Sequence, residues 1–406
     1  MIEQARQKEV TGLSMIICLL LVFGLYFPTT ASEHLSVFSL SAYLICLALL
    51  SLLIFRRHGR PSAPVCIALL SITPVLLVFT FTSGLSTLRL GALLGYGVLS
   101  ILLITNLRDI GLPHWFGRLW VVVNVINILA GFAIVAGVQS VDDFIVAHYS
   151  TAYDELLPNM LAWRKPVLTF GSHSTAAFFL YLFFWINLQT CKLKSQKWLM
   201  VFSVCYLFLT ACLLSVSALA FSAVGLFQLV AHVWMSMRHK LLWATAALCL
   251  ILATAAFWSP AINRAASIHV AKEIIQDPGN GLAGRFLPGG TMHYDLQYLQ
   301  HHPFSPVGAS YRESFMFGDD GPVEYMLRGS VPLLLLIYGG LFYFLRRNLV
   351  LRSHAYFLFA MIVLFELGIT TLINLRALYL IPVLVVYLNS LGDSVPLRIH
   401  WTGRRV

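Results

Sequence analysis

Charge is the scarcest commodity in this sequence: only 11% of its 406 residues are Asp, Glu, Lys or Arg. A soluble domain of ordinary composition carries about a quarter charged residues, so one or two water-soluble domains are excluded. Acids are rarer than bases, 17 against 27. Cysteines number seven, at 18, 46, 66, 191, 205, 212 and 249. All of them fall in apolar runs or at a basic edge, which excludes a disulfide framework or a thiolate metal site outside the membrane. A fixed-period repeat, a low-complexity tract and an appended polar domain are also lacking.

What the sequence has is apolar length. Hydrophobic residues make up 59% of it, and the mean hydropathy is +0.81. Runs of roughly 17–25 apolar residues are long enough to cross a bilayer as helices. Twelve are expected, over 12–30, 36–55, 63–82, 90–107, 119–138, 174–190, 198–215, 218–236, 241–258, 329–345, 353–372 and 377–391. The predicted fold is therefore all-α, a single polytopic membrane domain over 1–406. Its first span is expected to be a retained anchor, although Arg6 and Lys8 ahead of it and Thr30, Ala31 and Ser32 behind it also fit a cleaved signal peptide.

The charge asymmetry orients these spans. With the N-terminus inside, the inward segments hold 18 of the 27 cations and only Glu3, Glu9, Asp109 and Asp393 among the acids. That is the positive-inside pattern, with both termini cytoplasmic. The net charge of +10 is thus a signature of topology; a nucleic-acid partner would call for a basic stripe on a folded surface.

Two outward connections are long, 139–170 and 259–328, and loops of that length are usually functional. The first ends in WRKPVLTFGSHS, placing Arg164 and Lys165 before a proline and a Gly-Ser-His-Ser turn before a span. A helix starting there points free N–H groups and the positive end of its dipole outward, and with the two cations makes a candidate anion site including His173. The plainer alternative is that the cations snorkel at the interface and that His173 and Ser174 cap the helix.

The second loop holds GRFLPGGTMHYDLQYLQHHPFSPVG, from Gly284 to Gly308. Thr291 can cap a short helix that Pro303 stops. Helical spacing puts Met292, Leu296 and Leu299 on one stripe and His293, Gln297 and His301 on another, as in an amphipathic helix lying on the outer leaflet. Residue type alone would also allow a metal site from His293, Asp295, His301 and His302, but the spacing fits no known metal signature. Arg285 lies between Gly284 and a Pro-Gly-Gly turn, where backbone can approach a ligand closely. A guanidinium presents a permanently charged fork that matches phosphate oxygens, so Arg164 and Arg285 together can clamp a diphosphate.

These features resemble the O-antigen polymerase and ligase superfamily. The shared elements are about a dozen spans, an Arg-bearing outer loop entering a span through Gly-Ser-x-Ser, a Gly-Arg followed by a helix and His-Pro-x-x-x-x-Gly, and an acidic residue ahead of the next span, here DDGPVEYMLRGSVPLLLL. The resemblance implies a GT-C-like, metal-independent and inverting glycosyltransferase of the bacterial inner membrane, working on the periplasmic face without a cofactor. Its substrates would be polyprenyl diphosphate-linked oligosaccharides as donor and acceptor, with membrane lipids and a chain-length regulator as further candidate partners. By the same resemblance Arg164 and Arg285 hold the diphosphate leaving group, with Lys165, His173, His301, Arg312 and Arg376 as substrate contacts.

Two branches of that superfamily differ in the segment before the tenth span. Ligases carry a histidine there; the corresponding position here is Gly318, with Asp319 and Asp320 beside it. This favours a Wzy-type polymerase over a WaaL-type ligase and makes Asp320 the candidate base for the acceptor hydroxyl, with Glu324 or His301 as substitutes. A plain Asp-Asp-Gly turn is the alternative reading of the same residues. Glu366, inside the eleventh span, is a functional candidate by position, paired with a cation such as Arg376 or protonated. A flippase or transporter for lipid-linked sugars also fits twelve spans, but transporters gather polar residues near the midplane, and here they gather in two outer loops.

Overall fold

A computed structural model describes residues 15–26, 107–235 (except 109, 114, 150–155 and 195), 293–301 and 320–392 (except 369–371 and 373–374). Among these residues the fold is helical throughout, with no strand. The expected spans at 36–55, 63–82, 90–107 and 241–258 lie outside, apart from Leu107.

The helices are α1 (Met15–Tyr26), α2 (Phe116–Ala136), α3 (Gln139–Tyr149), α4 (Leu156–Ala162), α5 (His173–Lys194), α6 (Leu199–Cys212), α7 (Val216–Met235), α8 (His293–His301), α9 (Gly321–Asn348), α10 (Arg352–Glu366) and α11 (Leu375–Gly392). Two of them, α2 and α5, are long and apolar enough to cross a membrane, with mean hydropathies of 2.3 and 1.3.

These two spans occupy different places. Helix α5 is apolar on every side and buried almost along its full length, as expected of a central helix. It packs on α6, α7 and α11, and its rings meet those of α10, with Phe178 edge-on to Phe365 at 5.0 Å. Helix α2 is peripheral. Val122, Ile126 and Leu129 point outward from it at 52%, 47% and 64% exposure, as do Phe227 of α7 and Leu335 of α9. Large apolar side chains turned outward on several helices form a surface that lipid can cover and water would not.

One set of polar side chains inside the bundle is paired. Trp120 donates its indole N–H to Asn187 Oδ1 at 2.9 Å, Asn187 donates to Asn124 Oδ1 at 2.7 Å, and Asn124 returns a bond to the Trp120 carbonyl. This closed set joins α2 to α5, satisfying groups that would be costly to leave unpaired in an apolar interior.

Three expectations gain detail. The stretch 139–170, expected as a long outer connection, holds α3 and α4. The helix that carries the expected span at 329–345 begins earlier, at Gly321: Asp320 caps it through Val323 N–H, Pro322 suits its first turn and Glu324 complements its dipole. Helix α8 does lie where the spacing puts it, but it packs on α9 through Leu299, Val323 and Leu327 instead of resting on lipid alone, because Leu296 and Leu299 find an apolar partner in the protein.

Candidate functional site

The end of the bundle where α5 begins, expected to face outward, is built around Arg164. Helix α2 stops at Gly137, whose left-handed backbone (φ 78) lets its own N–H and that of Val138 bond back to Ile134 and Ala133. Helix α3 then starts at once and carries Asp142 back to this corner. Helix α4 ends in a matching turn, with Arg164 N–H on the Leu161 carbonyl and Lys165 N–H on that of Met160. Here the left-handed position falls on Arg164 itself (φ 58). Glycine would adopt that conformation freely, whereas a residue with a side chain pays about 1–2 kcal/mol for it. Leu168, four residues on, is left-handed too, at φ 51.

The strained backbone aims one particular group. Arg164 Nη1 lies 3.2 Å from Asp142 Oδ2, and the guanidinium rests on Gly137, where a Cβ would collide with it. The Arg164 side chain is 38% exposed and that of Asp142 10%. Among the described residues the rest of the guanidinium fork has no partner. Burial raises the Asp142 carboxyl above its ordinary value, Arg164 opposes that shift, and neighbouring Asp143 adds to it. The pair is therefore a cation pinned at one nitrogen and open at the others.

Around it, Tyr149 donates to the Tyr26 carbonyl at 2.6 Å and Thr169 to the Leu25 carbonyl at 2.5 Å. These bonds fasten the Arg164 segment to the end of α1. Ser172 caps α5 through Thr175 N–H at 3.2 Å, and His173 opens the helix, partly exposed. Lys165 is only 2% exposed, with its ammonium 5.3 Å from the centre of the Trp163 ring. Its side chain is therefore packed inside and does not present a second surface cation.

No family model, curated protein or solved structure matches this chain.

Carboxylates gather at the N-terminal end of α9. Asp320 is 2% exposed and accepts from Val323 N–H at 3.0 Å, so the residue expected to act as base is engaged in capping the helix. Glu324, also buried, sits in the first turn. Glu366 is completely buried and accepts three bonds: from Tyr325 and Tyr338, both at 2.8 Å, and from Leu372 N–H at 2.6 Å. It lies directly under Gly321, where a Cβ would come within 2.6 Å of Oε2. The position of Glu366 is thus explained by donors in α9 and the turn after α10. The Arg376 side chain, like Arg285, His302 and Arg312, lies outside the described residues.

The histidines of α8 face away from this cluster. His293 pairs with Gln297 at 3.2 Å and His301 with the Gln297 carbonyl at 2.8 Å, all on an exposed side. Asp295 lies on the other face, 1% exposed, with Oδ2 making no hydrogen bond among the described residues. His293, Asp295 and His301, which residue type alone would have allowed as a metal set, are thus split between two faces. Burial alone lifts the Asp295 carboxyl to about 6. Asp295 was considered in the sequence only for metal. Its spacing of four from Leu299 was the signal that it shares the face turned to α9.

Proposed function

We propose that this chain is a bacterial inner-membrane glycosyltransferase that polymerises surface-polysaccharide repeat units on the periplasmic face. The observation that carries the reading is Arg164: a guanidinium held in place by Asp142 on a strained backbone, with most of its fork open at the outward end of the bundle. Strain is retained where function needs a geometry, and an open, oriented fork is suited to a diphosphate. The Gly-Arg and His-Pro motifs of the second outer loop support the same reading and give Arg285 as the second cation.

In this reaction an acceptor sugar hydroxyl attacks the anomeric carbon of the donor glycan. The carbon–oxygen bond to the diphosphate breaks, and polyprenyl diphosphate leaves with its charge stabilised by the arginines. The hydroxyl proton needs a base. Asp320 is engaged as a cap, whereas Asp295 is buried, has an unused oxygen and is tuned to about 6, a value suited to proton transfer near neutral pH. Asp295 takes the role of base in this reading.

That assignment has a two-sided consequence. The carboxyl is lifted from 3.8 to about 6 on folding, so folding is favoured by the proton it holds at low pH. The cost of ionising it inside the fold appears as pH rises through that window. Asp295→Asn is therefore expected to melt higher than wild type at pH 7.5, by about 2–3 kcal/mol, to lose that advantage at pH 4, and to be inactive. A variant that is less stable at pH 7.5 and fully active would remove Asp295 from the mechanism.

The reading is tested by the surface-glycan gel profile of a deletion strain. Lipid A-core bearing a single repeat, with the ladder restored by wild type, is the expected pattern. Complete loss of glycan from the core, with lipid-linked polymer accumulating, would instead assign the ligase reaction.

A further inference from the structure

The opposite end of the bundle holds a second feature with its own chemistry. Where α2 and α6 begin and α5 ends, there is a cavity of about 480 Å³, within the range of ligand sites. Two cations line it, Arg118 and Lys194, and among the described residues no carboxylate does. Both are exposed, and neither has an ion-pair partner among the described residues. Gln196, Tyr387 and Ser390 add neutral hydrogen-bonding groups to the wall.

The backbone adds to the same field. Helices α2 and α6, of 21 and 14 residues, both start at this cavity. Neither has an acidic residue in its first turn or a side-chain cap, so the positive ends of two dipoles are left uncompensated there. The lining is not only polar. Phe116, Val121 and Leu199 give it an apolar wall, and Trp198, also in the lining, and Val201 three residues on are each 48% exposed. The cavity thus combines two cations with apolar lining.

We propose that this cavity is a binding site for an anionic phospholipid of the cytoplasmic leaflet. Its phosphate headgroup lies between Arg118 and Lys194, and its acyl chain lies on the apolar wall. The cytoplasmic placement follows from the charge asymmetry of the connections, and basic pockets between membrane helices on that side suit anionic headgroups. The site is independent of the glycosyltransferase reading, since none of its residues belongs to the outward end.

The test uses the full chain in neutral detergent, titrated with phosphatidylglycerol, phosphatidylcholine or inorganic phosphate while bound lipid is counted by native mass spectrometry. Saturable phosphatidylglycerol binding is expected, with phosphatidylcholine weaker by at least roughly tenfold. R118Q/K194Q should weaken phosphatidylglycerol binding roughly tenfold to thirtyfold, about one tenfold step or less per cation, without changing the lipid-free melting temperature. R346Q/R352Q removes two inward-end cations outside the cavity and should leave binding intact; if R118Q/K194Q does not fold, Lys194→Gln alone should still weaken it severalfold. Equal binding by wild type and the cavity variants, equal loss in R346Q/R352Q, or equal uptake of phosphatidylcholine would each overturn the site. Saturation by inorganic phosphate with no preference for lipid would assign the cations to a free phosphate and overturn the lipid.

Discussion

Arg164→Ala is expected to lower polymerisation by roughly a thousandfold, the scale on which removal of one preorganised charge stabiliser acts. Arg164→Lys should recover only part of the loss, because an ammonium restores the charge but not the planar fork. The substitution has a structural side effect that must be separated from the catalytic one. Asp142 is buried with Oδ1 already lacking a donor, so deleting its cation leaves an unpaired buried carboxylate and destabilises the α3 corner. Arg164→Ala combined with Asp142→Asn removes that charge. The double variant should regain the melting temperature of wild type and remain inactive, whereas recovery of activity along with stability would reduce Arg164 to a structural residue. Activity is read as lengthening of lipid-linked glycan, and stability by melting in detergent.

Glu366→Ala is expected to be the most damaging single change to the fold. Three donors converge on this carboxylate, two tyrosine hydroxyls and the Leu372 N–H. Each donor left unsatisfied in a buried setting costs about 1–3 kcal/mol, so a loss of roughly 3–5 kcal/mol is expected by thermal unfolding. Tyr338→Phe removes one bond only and should cost about 1–2 kcal/mol. Glu366→Gln keeps an acceptor oxygen for Leu372 N–H and should be milder than the alanine variant, with glycan polymerisation retained. A Glu366→Gln protein that folds normally but is inactive would point to a proton-carrying role for this residue and revive the transporter.

Much of the helical frame was legible in the sequence, and the pattern of success is physical. Helix α5 was expected over 174–190 and runs from His173 to Lys194, because a continuous apolar run between a Gly-Ser turn and a basic end has few alternatives. The short α8 was found from the spacing of Leu296 and Leu299 and lies at His293–His301. The start of α9 was placed too late because the search followed hydropathy, while the helix is nucleated by polar signals: the Asp320 cap, Pro322 and Glu324. Those same signals explain Asp320 more simply than a catalytic role does.

Arg164 was named as a candidate from the sequence, but its surroundings were not. Its partner Asp142 lies 22 positions away on a helix that reads as loop in a membrane-oriented scan. Glu366 was singled out as an acid within an expected span, but its tyrosine partners are 41 and 28 positions distant, and only packing brings them together. The strain at Arg164 was invisible, because a left-handed arginine leaves no trace in composition or periodicity.

The most direct measurement is elongation by the purified chain in vesicles, using the lipid-linked repeat units that accumulate in the deletion strain. Longer lipid-linked glycan together with an equal amount of released polyprenyl diphosphate is expected from wild type, and neither product from Arg164→Ala/Asp142→Asn. Repeat units that cross the bilayer unchanged, with no diphosphate released, would contradict the glycosyltransferase and leave a transporter.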